Sequence, residues 1–141
     1  MSTPPWVCII IGSDSDAQVM TQACAALEEF GVPYEMTVAS AHRSPERTRQ
    51  VVSDADRDGA AVFIAGAGMA AHLPGVVASL TTKPVIGVPL AGATLQGFDS
   101  LLAIVKRVSP PLSIAATSPI SVMIPVNMIA LPIDETRQGR P

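Results

Sequence analysis

Three short apolar runs, Val7–Ile11, Ala61–Ala65 and Pro84–Pro89, set the first limit on this chain. None alternates polar with apolar residues, so each fits a strand buried on both faces. Between them lie segments with helical spacing. From Ala17 to Phe30, the apolar positions Val19, Met20, Ala23, Ala26, Leu27 and Phe30 recur every three or four residues. Gly31 supplies a C-cap. Tyr34–Ala39 reads as a further strand. A charged helix follows from Pro45, a residue suited to a first helical turn, and Gly59 ends it. Helices are also expected over Ala70–Leu80 and over Ser100–Lys106, the latter capped by Asp99. Ser113–Ala116 reads as a short fifth strand, and Val122–Leu131 as a helix or an apolar extended segment. Alternating strands and helices predict the α/β class, with a parallel sheet and helices on both faces. The expected organisation is one domain over 1–141. Its core spans 6–107, followed by an apolar segment at 108–133 and a polar tail at 134–141.

In open parallel sheets, ligands bind beyond the carboxyl ends of the strands. The polar residues of this chain fall there. Gly12–Asp16, Ser40–Arg43 and Gly66–His72 follow the first three strands, and residues 90–97 follow the fourth. Four loops are therefore expected on one rim.

Composition narrows the partners. Charged residues are only 15% of the chain, against about 25% in an ordinary globular domain. Lys83 is the sole charge between Gly59 and Phe98, and there is none from Val108 to Ile133. A monomer with a fully wetted surface usually carries more. A net charge of −3 leaves no basic footprint for nucleic acid. The uncharged stretch at 108–133 raises a membrane question, but five prolines and four serines interrupt it, which speaks against a spanning helix. No signal peptide is expected. Cys8 and Cys24 form no CxxC and no metal spacing, so they read as reduced, buried thiols of a cytoplasmic protein.

The two histidines, His42 and His72, both fall on the expected rim. Histidine titrates near neutral pH and can both give and take a proton. Gly12–Asp16 has the form of a phosphate cradle at a helix N-terminus, though Asp14 and Asp16 would repel a phosphate they faced directly. They either cap the helix or bind sugar hydroxyls while the serines and backbone amides take the phosphate. Arg43 either pairs with Glu46 or Asp54 on the surface or grips a phosphate or carboxylate. Gly66-Ala67-Gly68 reads as a strand-to-helix turn that lets a ligand approach the backbone.

Several strings now resemble a known family. They are IIIGSDSD (9–16), EEFGVPYE (28–35), ASAHRSPER (39–47), IAGAGMAAHLPG (64–75), PVIGVPL (84–90) and LQGFDSLLAIV (95–105). Together they resemble the PurE family, the N5-carboxyaminoimidazole ribonucleotide mutases and aminoimidazole ribonucleotide carboxylases of purine biosynthesis. The resemblance implies a flavodoxin-like three-layer αβα sandwich, assembled as a homo-octamer without metal or organic cofactor. It implies a phosphorylated substrate whose carbamate loses carbon dioxide, which the pocket holds and adds to a ring carbon. His42 matches the histidine that removes the proton from that carbon. Ser13, Asp14 and Asp16 match a ribose- and phosphate-binding loop. Ser40, Ala41 and Arg43 match a second binding loop, with Arg43 toward phosphate. Ala67, Gly68, His72 and Leu73 match the loop lining the carbon dioxide and carboxylate site.

Three departures stand out. Met69 replaces the last glycine of the family's GAGG, where a side chain would narrow or reshape the carboxylate pocket. Ala91-Gly92-Ala93 lacks a serine the family places there. Lys106 and Arg107 are new charges, and the family's small-residue C-terminal helix is nearly unrecognisable in 112–133, with Asn127 its one matching residue. Three readings stay open: a divergent purine enzyme, a paralog doing carboxylation or decarboxylation on another substrate, and a non-catalytic binding subunit.

Overall fold

The computed structural model describes residues 4–91, 97–108 and 121–123. They form a five-stranded parallel sheet: β1 (Trp6–Ile11), β2 (Tyr34–Val38), β3 (Ala60–Gly68), β4 (Val85–Leu90) and β5 (Ser121–Met123). The strand order is β2-β1-β3-β4-β5. Four helices accompany it: α1 (Ala17–Glu29), α2 (Pro45–Arg57), α3 (Leu73–Leu80) and α4 (Phe98–Val108).

Successive residues of a strand point to opposite faces, and β1 shows why both faces are apolar. Cys8 and Ile10 join a core with Val52 and Ala55 of α2, Leu73 and Val77 of α3 and Ile104 of α4. Val7, Ile9 and Ile11 face the other way, against Met20 and Cys24 of α1. Helices thus cover both faces, and the expected αβα sandwich is present. The edge strand β2 is only half-buried. Both cysteines are free and buried.

Several boundaries differ from the sequence expectations. Gly66-Ala67-Gly68 is not a turn but the end of β3, paired with Val88, Pro89 and Leu90 of β4. A Cβ on Gly66 would lie 2.9 Å from the Met20 sulfur. That glycine therefore serves the seating of α1 rather than a change of chain direction. α3 begins at Leu73, not Ala70, with Pro74 in its first turn. α4 begins at Phe98, where Leu101 N–H already bonds to Gly97 C=O at 2.9 Å, so Asp99 lies inside the first turn. Val19 and Phe30 keep helical period yet are exposed, because α1 buries a narrower stripe through Met20 and Cys24. At Ser121–Met123 the chain is extended and pairs with β4. The strand expected at Ser113–Ala116, Gly92, Ala93, Asn127 and the tail lie outside the described residues.

Gly87 shows how closely the helices approach the sheet. A Cβ there would lie 3.0 Å from Ile104 Cγ2 and 3.1 Å from Pro74 Cβ. One contact is on α4 and the other on a rigid ring of α3, so relief requires moving a helix. Gly87→Ala should cost about 1–3 kcal/mol of stability in urea unfolding; an unchanged midpoint would show that the two helices can shift freely.

Candidate active site at the carboxyl edge of the sheet

The chain runs outward from β1 to β2, then crosses to β3 on the other side of β1. The reversal leaves a crevice at the carboxyl ends of β1 and β3, the usual ligand position in such sheets. The β1–β3 register carries on past the strand end. Ile11 pairs with Gly66, and Gly12 N–H bonds to Gly66 C=O at 3.3 Å. The first loop is thereby tied to the third strand.

That loop is a single 3₁₀ turn, Asp14–Asp16, leading directly into α1. Ser13 caps it: its hydroxyl accepts from Ser15 N–H at 3.4 Å and from the Ser15 hydroxyl at 3.0 Å. Asp16 makes no side-chain cap bond to α1, so the capping role considered for an aspartate falls to Ser13. Asp14 is exposed and Asp16 half-buried. Burial raises the Asp16 pKa above its ordinary 3.8, outweighing the Ser13 backbone bond and the nearby Arg43 charge, which lower it.

The loop after β2 is built around Ser40. Its hydroxyl accepts from Arg43 N–H at 3.2 Å, and its carbonyl accepts from Ser44 N–H at 2.9 Å. This fold-back turns Arg43 toward the first loop, where its guanidinium donates to Gly12 C=O at 2.8 Å. The surface pairing considered for Arg43 is therefore not made. Glu46 pairs instead with Arg49, and Asp54 with Arg57. Sequence reading missed Gly12 C=O as the Arg43 partner; the signal available was only that both loops follow adjacent strands.

His42 sits between these loops and the end of β3. Its Nε2 lies 2.9 Å from Nδ1 of His72, which precedes α3. The rings meet nearly edge to face, at 85°. His42 is exposed and His72 half-buried. Between two neutral imidazoles, one nitrogen donates and the other accepts. If His42 Nε2 accepts, its Nδ1 carries a proton that it can give. If Nε2 donates, Nδ1 is a free base. One pair can therefore present either an acid or a base to a ligand.

Ala67 and Leu73 are core residues, 7% and 3% exposed. Ala41 is half-buried against the same core, and Gly68 ends β3. The structure thus brings Ser13, Asp16, Ser40, Arg43, His42 and His72 to one rim. Ala67 and Leu73 belong to the buried core. α4 extends to Val108, past the expected end at Lys106, and so includes both Lys106 and Arg107. Among the described residues, no cluster of three or more His, Cys, Asp or Glu could hold a metal, and no helix is long and apolar enough to cross a membrane. A separate cavity of about 290 Å³ lies between β1, β2 and α2, lined by Trp6, Cys8, Glu35, Arg47 and Asp54 among others. Burial, with the Glu35 charge beside it, pushes the Cys8 thiol up to about 12.

An open parallel sheet with a polar, histidine-bearing rim at its switch point defines the class: an α/β protein with its candidate site at the carboxyl edge of the sheet. A family model described as AIR carboxylase matches residues 6–137. The chain belongs to that family. It is 58% identical over 108 residues to an N5-carboxyaminoimidazole ribonucleotide mutase of Pyrococcus horikoshii, covering 77% of this chain and 61% of that protein. It is 57% identical over 102 residues to a phosphoribosylaminoimidazole carboxylase of Candida glabrata, covering 72% of this chain and 18% of that protein. The chain thus spans under two thirds of these curated relatives. The crystal structure of Treponema denticola PurE superposes with a TM-score of 0.69 at 27% identity, covering 87% of this chain and 74% of that one.

Asp16 gives a test by pH. A carboxyl whose folded-state pKa is raised contributes stability that is complete below its unfolded value and lost as pH rises through the folded value. Ligand-free Asp16→Asn should therefore be slightly more stable than the parent at pH 7, with a flatter stability profile across the acid range. Solvent screening keeps the gain small. Urea midpoints between pH 3 and 7 check this; a variant less stable at pH 7 would show that the charge is needed for folding.

Proposed function

We propose that this chain moves a carboxyl group on aminoimidazole ribonucleotide, converting the N5-carboxyamino form to the 4-carboxy-5-amino form in purine biosynthesis. The 2.9 Å contact between His42 and His72, on the rim that carries Arg43 and the Ser13–Asp16 turn, is the observation that carries it. Relatives named for both mutase and carboxylase reactions support the reading.

The residues divide the work by chemistry. Arg43 offers a forked cation for phosphate, its anchor on Gly12 C=O holding it across the first loop. Ser13, Ser40 and the turn amides add donors, and Asp14 and Asp16 accept from ribose hydroxyls. The carbamate C–N bond breaks and its electron pair stays on the exocyclic nitrogen, which takes a proton from protonated His42 and leaves that ring neutral. Carbon dioxide, held close by the small backbone at Ala67 and Gly68, is attacked by the electron-rich ring carbon. His42 then accepts the proton that this carbon loses, so the proton count is unchanged over the cycle. His72 fixes the His42 tautomer through the shared bond. In this reading no metal or organic cofactor takes part, the domain is single with residues 6–107 as its core, and the enzyme works in the cytoplasm as an octamer. The sparse charge between Gly59 and Phe98 supports such an assembly.

The experiment is turnover of the carbamate, or of aminoimidazole ribonucleotide with bicarbonate, by the full chain. We expect activity, and a loss of about 10²–10⁴-fold in kcat for His42→Asn with the oligomer mass unchanged. An active His42→Asn would overturn the role of His42. Absence of both turnover and nucleotide binding in the parent would overturn the function.

A further inference from the structure

Met69 has φ of +54°, the one positive value at a non-glycine residue among those described. A long side chain in the left-handed region pays a steric cost that glycine avoids. Packing does not repay it, because Met69 is 70% exposed and belongs to neither core cluster. The residue sits where the site is assembled. It directly follows Gly68 at the end of β3, and its carbonyl accepts from Ala71 N–H at 2.9 Å in the turn that delivers His72. Glycine would form the same turn without strain. The strain therefore has its return in something outside the free protein.

We propose that Met69 is a specificity-determining residue whose thioether covers the planar heterocycle of the bound nucleotide. This rests on the functional reading above and deepens it. A thioether is polarisable and flexible, and it gains most against an aromatic face. The sugar and phosphate fall to Ser13, Asp16 and Arg43 on the other two loops, so Met69 serves only ligands that carry the ring. A residue that merely shaped the turn would affect ring-bearing and ring-free ligands alike.

Calorimetric binding of aminoimidazole ribonucleotide and of ribose 5-phosphate to the parent, Met69→Gly and Met69→Leu separates these roles. Met69→Gly should bind the nucleotide on the order of tenfold more weakly, with ribose 5-phosphate affinity unchanged and thermal midpoint equal or higher. Met69→Leu should keep most of the nucleotide affinity. Equal losses for both ligands, no loss for either, or a lowered midpoint in Met69→Gly would overturn the proposal. If the parent turns the nucleotide over and Met69→Gly shows no selective loss, this proposal alone fails. If the parent binds no nucleotide, the functional reading fails and carries this one with it.

Discussion

The pairing of β1 with β3 is the constraint on which the rest of the molecule depends. It puts the first and third strands side by side although a strand and two helices separate them in sequence. Both strands are apolar on both faces, so neither is stable except between covering layers. The same register, carried one bond further from Gly12 N–H to Gly66 C=O, fixes the height of the first loop against the third strand. Arg43 then ties the second loop to that point through Gly12 C=O. His42 and His72 come from different strand ends, and their contact follows from this alignment rather than from anything local to either residue.

The carboxyl edge of the sheet gives up some stability for polarity. Asp16 is held in a half-buried place that disfavours its charge. Met69 holds a backbone conformation that suits glycine. Neither choice helps the free fold, and both lie at the carboxyl edge of the sheet. In the interior, Ser100 and Thr48, both fully buried, each find a backbone carbonyl. Local rules broken at one edge and kept in the interior are what a binding site looks like in energetic terms.

Strands β1, β3 and β4 were legible in sequence because they are continuous apolar runs followed by turn residues, whereas β5 at Ser121–Met123 was not placed. Pro45 and Gly59 marked the ends of α2 for equally local reasons. The end of β3 was not legible. Gly-Ala-Gly reads as a turn, and only pairing with β4 and the seat of Met20 make it a strand. Period alone overstated the buried face of α1, since Val19 and Phe30 repeat correctly but find no layer to cover them. In the site, residue types and loops were legible, whereas partners were not. Arg43 had two acidic neighbours in sequence and chose a distant carbonyl. The separation of 30 residues between the histidines says nothing about distance until the strand order is known.

The central claim is that the two rings share a hydrogen bond that sets whether Nδ1 of His42 carries a proton. Nitrogen-15 NMR of the imidazole rings, at a pH where both are neutral, reads this directly. The account predicts one protonated and one bare nitrogen across the pair, His42 Nε2 and His72 Nδ1, and a shift of the His42 Nε2 resonance on His72→Asn. Two protonated nitrogens across the pair, or a His42 Nε2 signal indifferent to His72, would contradict it.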